Sequence, residues 1–180
     1  MTLLNVAGLL REAPGTSRVV PLRDRYQSLG SDLELAGPLD GSLRLHRTNR
    51  GIMVQGWVEA PVRRTCARCL DGYVEPVRVT ITEEYLPSVD PVSGEPIRAS
   101  AADDQVQRVT DHHEIDLSVA LHDEFALAEP MHPLCRPDCP GLCPGCGRRL
   151  DVGSCQCAAT ELDPRLAVLG RLLEPDQIPD

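Results

Sequence analysis

The sequence predicts an α+β protein: a mainly antiparallel β-sheet or partly open barrel, two to three helices and a cysteine-rich C-terminal module. Three observations carry this. Apolar and polar residues alternate with a period near two from residue 18 to 86, the pattern of strands buried on one face. Two later stretches, around 116–129 and DPRLAVLGRLL, space their apolar residues three to four apart, as amphipathic helices do. Six of eight cysteines crowd into CRPDCPGLCPGCGRRLDVGSCQC, Cys135 to Cys157, which marks a small appended module on a chain of 180 residues.

In chain order, NVAGLLREAPG reads as a short helix stopped by Pro14-Gly15, with Val6, Leu9 and Leu10 on one side. Strand patterns follow. Leu33 and Leu35 alternate with acids, Leu43 and Leu45 with Arg44 and His46, and Ile52, Val54 and Val58 with Met53, Gln55 and Trp57. Val77, Val79 and Ile81 alternate with Arg78 and Thr80. Turn signals stand at Gly37-Pro38, Asp40-Gly41 and Asn49-Arg50-Gly51. A hairpin pairing about 52–64 with 73–85 places Cys66-Ala-Arg-Cys69-Leu-Asp-Gly72 at its tip. Residues 87–112, rich in Pro, Ser and Asp, read as a flexible acidic insertion. A helix over 116–129 has Asp116 as N-cap, Leu117, Leu121, Phe125 and Ala128 as its apolar stripe, and Pro130 as its stop. A last helix starts at Asp163-Pro164. The expected division is a β-domain over 1–130 and a cysteine-rich module with its helix over 131–180, packed on the same domain.

Aromatic residues make up only 3% of the chain, so base-stacking platforms are few. All 18 basic residues are Arg and the net charge is −9, which disfavours nonspecific nucleic-acid binding, DNA included. The charge is uneven: residues 1–80 hold 11 Arg against 8 acids, residues 81–130 only 2 against 12. The N-terminus shows no basic leader with a signal-length apolar run, and no segment reaches membrane-span length. A cytoplasmic, non-membrane protein with reduced thiols is expected, so the cysteines point to metal rather than disulfides.

Cys143-Pro-Gly-Cys146-Gly is a metal knuckle: two thiolates on one side of a tight loop, with a Gly able to adopt the left-handed backbone that closes it. Cys155-Gln-Cys157 can complete a tetrahedral Zn²⁺ site, since residues two apart on an extended segment face the same way. Cys66 and Cys69 with Cys135 and Cys139 form a second set, stapling the tail to the hairpin tip. Two structural zinc ions are the leading expectation. The spacing leaves other sets open: Cys139 with Cys143 and Cys146, His132 in place of Cys135, one zinc with spare thiols, or iron–sulfur or redox chemistry. Arg63, Arg64, Arg68, Arg136, Arg148 and Arg149 lie near these cysteines. They have two readings: screening thiolate charge and pairing with acids, or facing outward to contact RNA phosphates.

No catalytic residue is predicted. Closed Cys₄ sites leave no position for water, and nucleophile-elbow, P-loop and dinucleotide motifs are absent from the sequence. Asp111-His112-His113-Glu114 reads as a solvated approach to the helix, and His46 and His122 as surface positions.

Taken together, RTCARCLDGYVEPVRVTITEEYLP, EIDLSVALHDEFALAEPMHPLC and CPGLCPGCGRRL, with the opening LLNVAGLLREAPGTSR, resemble the YceD family, the large ribosomal RNA subunit accumulation proteins. The cysteine cluster resembles the form in which the family carries its full C-terminal set; other members have fewer cysteines, which favours a structural role for the metal. The resemblance implies a non-enzymatic role in ribosome biogenesis, with a large-subunit precursor as partner through rRNA, a basic ribosomal protein, or both. A zinc-ribbon interaction module outside the ribosome and a redox-sensing thiol protein are the competing classes.

Overall fold

The computed structural model describes residues 3–25, 28–97, 106–153, 155–157 and 165. The elements run β1 (Leu3–Asn5), α1 (Ala7–Leu10), β2 (Ser17–Arg25), β3 (Leu39–Arg47), β4 (Ile52–Thr65), β5 (Gly72–Pro87), β6 (Gln107–Val109), β7 (Glu114–Asp116) and α2 (Ser118–Leu127). The main sheet has the order β2-β3-β4-β5-β6, antiparallel except for a short parallel β5–β6 pair. It is open, with β2 and β6 at its edges, and does not close into a barrel. A two-stranded β1–β7 sheet accompanies it.

The β4–β5 hairpin dominates. Fourteen consecutive pairs run without a bulge from Ile52↔Tyr85 to Thr65↔Gly72. Its inner face buries Ile52, Val54, Val58, Ala60, Val62, Val77, Val79, Ile81 and Tyr85, the period-two pattern of the sequence. Leu39, Leu43 and Leu45 of β3, Val6, Leu9 and Leu10 around α1, and Leu117, Leu121 and Phe125 at α2 join the same core. At the β3–β4 turn, the Thr48 hydroxyl accepts the Gly51 N–H at 2.9 Å, and Arg47 Nη1 donates to the Gly51 carbonyl at 2.9 Å. A Cβ on Gly51 would stand 2.2 Å from the Tyr85 carbonyl oxygen, so no other residue fits without moving the strands.

Several expectations are corrected. Leu33 and Leu35 belong to no strand; they turn inward from a loop that meets β4 at an isolated Leu35↔Val62 bridge, with the Ala36 N–H donating to the Pro61 carbonyl and the Arg63 N–H to the Glu34 carbonyl. Asp40-Gly41 is not a turn but lies inside β3, where a Gly41 Cβ would meet the Trp57 carbonyl oxygen at 2.4 Å. The segment 87–112 is not wholly an insertion, because it contains β6 and a small turn bridged by Val89↔Pro96. Asp111 to His113 form the turn between β6 and β7, with His113 at φ 59°, rather than a lead-in to the helix. The N-cap position of α2 is Leu117; Asp116 ends β7 and accepts the Ser118 N–H at 2.9 Å. Ala128 is the exposed C-cap, outside the buried stripe. The helix expected from Asp163 lies outside the described residues.

His122, on α2, ties the helix to the loop before β3. In its charged form it donates from Nε2 to Asp32 at 3.0 Å and from Nδ1 to Asp123 at 3.0 Å. Asp123 first, then Asp32, hold its pKa above the ordinary 6.5, while His122 holds Asp32 below 3.8. The His contribution is complete below 6.5 and is lost as pH rises through the raised value. The Asp32 contribution is present above 3.8 and is lost as pH falls through the lowered value. His122→Gln should therefore lower the melting temperature most near about pH 5 and least above about pH 9. A pH-independent difference in thermal melts would contradict the assignment.

Candidate metal centres

Both cysteine pairs that open a site sit on the same backbone device. In Cys66-Ala-Arg-Cys69-Leu70, the Leu70 N–H donates to the Cys66 carbonyl at 2.9 Å and the Cys66 N–H to the Asp71 carbonyl at 2.9 Å. In Cys143-Pro-Gly-Cys146-Gly147, the Gly147 N–H donates to the Cys143 carbonyl at 2.8 Å and the Cys143 N–H to the Arg148 carbonyl at 2.8 Å. Leu70 and Gly147 are both left-handed, at φ 63° and 69°. The sequence places both cysteine pairs on turns, but only the second carries a glycine where the backbone turns left-handed; a leucine stands there in the first. Leu70 is 64% exposed, so the strain of its backbone is not offset by packing.

The eight cysteines form two groups of four: Cys66, Cys69, Cys135 and Cys139, and Cys143, Cys146, Cys155 and Cys157. Within each, all four sulfurs lie within 4.8 Å of one another. His132 belongs to neither group, and Cys139 stands with Cys66 rather than with Cys143 and Cys146. A tetrahedron with Zn–S of about 2.3 Å has S···S edges of about 3.8 Å. Cys66–Cys139 and Cys69–Cys135 are each 3.8 Å apart; Cys143–Cys155 is tighter, at 3.1 Å. No disulfide links any of the eight. Donor number, donor type and spacing therefore fit a four-thiolate metal site in both groups.

The electrostatics agree. The Cys66 thiol is pulled down to about 6, first by the backbone N–H of Cys135 and then by that of Cys69. Its neighbour Cys135 is pushed up to about 12, first by burial and then by hydrogen bonding to the other thiols. In the second group Cys143 falls to about 6, chiefly through the Cys155 thiol, and Cys157 rises to about 12, chiefly through Cys146. Each cluster welcomes one thiolate and resists more, which is how four close thiols behave until a cation shares the charge. The two environments differ. Cys66, Cys69 and Cys139 are buried in a small cluster with Tyr73 and Leu134, whereas Cys146 and Cys157 are exposed.

Five of the six arginines near the cysteines have partners. Arg63 pairs with Glu34 at 2.7 Å. Arg68 donates to the Cys139 carbonyl at 2.9 Å, tying hairpin tip to tail. Arg149 pairs with Asp71 and, at 2.7 Å, with Asp151, which also takes Arg136 at 3.4 Å. Arg64 is buried, its side chain 3% exposed, paired with Glu75 at 2.9 Å and donating to the Ala128 carbonyl at 3.2 Å. It anchors the end of α2 and cannot face a partner. Arg148 is exposed beside Cys146, Cys155 and Cys157 and has no partner among the described residues.

The model of the family described as "Large ribosomal RNA subunit accumulation protein YceD" matches residues 54–173, two thirds of the chain. The chain belongs to the YceD family. The YceD match starts in β4 and takes in β5, β6, β7, α2 and all eight cysteines. Uncharacterised proteins of Mycobacterium tuberculosis and Mycobacterium bovis are each 39% identical over 140 residues, 77% of this chain and 63% of their own length. One from Mycobacterium leprae is 33% identical over 144 residues, 80% of this chain and 63% of its own. The chain thus spans under two thirds of the curated relatives it matches. No solved structure matches it. Among the described residues no helix is long and apolar enough to cross a membrane.

Proposed function

We propose that the protein is a non-enzymatic, cytoplasmic assembly factor of the large ribosomal subunit, supporting accumulation of its rRNA, and that each cysteine group holds one structural Zn²⁺. The YceD match, which encloses both cysteine groups, is the observation that carries this reading. Four thiolates leave no open coordination position, so the ions would supply cross-linking. They would hold the hairpin tip, the 131–157 segment and the Arg149–Asp71 pair in one surface. The small core around Cys66, Cys69 and Cys139 takes residues from both sides of residue 130, which supports a cysteine-rich module packed on the β-domain.

The partner in this reading is a large-subunit precursor, reached through rRNA, a basic ribosomal protein, or both. The acidic stretch 83–129 suits a basic ribosomal protein, since residues 81–130 carry 12 acids against 2 Arg. On the metal side Arg148 is the arginine best placed for a phosphate; Arg63, Arg68, Arg136 and Arg149 would each have to share or release a partner. Depletion of the protein should lower large-subunit rRNA relative to small-subunit rRNA. An unchanged ratio would count against the assembly role and favour an interaction module outside the ribosome.

A further inference from the structure

The outer face of the main sheet carries a second candidate surface, away from the cysteines. Cross-strand register places Val19, Arg44, Gln55 and Thr82 in one row, and Pro21, Ser42, Trp57 and Thr80 in the next. Trp57 is the chain's one tryptophan, half-buried on this solvent-facing side. The Arg78 guanidinium lies 4.0 Å from the centroid of its ring. Beside it Val19, Ser42, Arg44, Gln55, Gly56 and Trp57 line an open hollow of about 380 Å³.

Charge separates this face from the metal side. Arg44 and Arg78 are exposed, and neither makes an ion pair among the described residues, whereas most arginines near the cysteines are neutralised. Glu59, opposite Arg78, and Glu84, which accepts the Thr48 hydroxyl, mark the ends of the patch. A tryptophan with Arg78 over its ring and Arg44 beside it in the open hollow, neither guanidinium held by a carboxylate and both set among Ser, Thr and Gln, is chemistry for a stacked base and its flanking phosphates. An apolar partner would find little to bury here beyond Val19, Pro21 and Trp57, and a basic partner would meet two cations that no carboxylate neutralises.

We propose that this face binds single-stranded RNA, one base stacking at Trp57 and adjacent phosphates pairing with Arg44 and Arg78. The proposal deepens the rRNA reading above and rests on it, but uses different residues. Because Trp57 is the sole tryptophan, its fluorescence reports on this face alone. Titration of the full chain at low salt with an oligouridylate of about 12 nucleotides should quench that fluorescence saturably. Binding read by fluorescence anisotropy of a labelled strand should weaken roughly 5- to 150-fold in Trp57→Leu and largely recover in Trp57→Phe. Arg44→Ala with Arg78→Ala should reduce the slope of log affinity against log salt by about 1.4. RNA binding that leaves Trp57 fluorescence unchanged and ignores these substitutions would overturn the proposal while leaving the assembly role standing. Quenching by a basic ribosomal protein but not by RNA would overturn it in favour of a protein partner.

Discussion

Replacing Cys66 with serine is expected to cut zinc content from two ions per chain to one and to unfold the hairpin tip and the 131–142 segment together. Cys66 is fully buried and stands 3.8 Å from Cys139, so the variant removes a thiolate that no solvent can replace. What holds the region otherwise is thin: a few backbone bonds, such as Ala67 N–H to the Pro133 carbonyl at 2.7 Å, and the Arg68–Cys139 bond. Structural zinc supplies on the order of 10 kcal/mol in small sites of this kind, far more than those bonds provide. Amide protection at Ala67, Leu70 and Cys139 should therefore collapse. Protection at Val54, Val58 and Val79 should persist, because they belong to the separate main core. Retention of two zinc ions, or loss of the whole sheet, would refute this picture. Chelation of the unaltered protein should follow the same logic, with the exposed Cys146 and Cys157 site emptied first.

Phe125→Ala should destabilise the main domain by about 3–5 kcal/mol, or roughly 6 to 20 °C in melting temperature, with zinc content unchanged. Phe125 is the chain's one phenylalanine and is fully buried on α2. The helix is only ten residues long and packs chiefly on β5; apart from polar ties through Asp116, His122 and Arg64, its place depends on Leu121 and Phe125 entering the core. Phe125→Leu should cost much less, as volume-preserving apolar changes do. Equal melting of the two variants in calorimetry would show that the cavity is not the cause.

The long hairpin was legible because one face of β4 and β5 is buried along most of its length, so that alternation and burial coincide. The same alternation misled at Leu33 and Leu35, whose leucines also point inward but from a loop. Gly41 looked like a turn because a glycine required by close strand approach and one required by a bend are the same letter. β6 was hidden because three residues pairing in parallel leave no local period. The spacing favoured the observed cysteine grouping but left other sets open until the fold brought the sulfurs together, and Leu70 in a left-handed turn carried no signal. The partners of the arginines were beyond reach, since Arg63 finds Glu34 and Arg68 finds the Cys139 carbonyl 29 and 71 residues away.

Beyond Glu59, the last β4 residue paired with β3, the hairpin runs on as a ribbon flanked by the 34–36 loop and carries Cys66 at its tip. Trp57 and Thr65 lie eight residues apart on that one unbroken strand, or about 26 Å at the rise of a β-strand. The ribbon is in effect a ruler. Any single partner that engages both the tryptophan face and the cysteine knuckles must span that distance, and shortening both strands by two residues would bring its two footholds closer by about 7 Å.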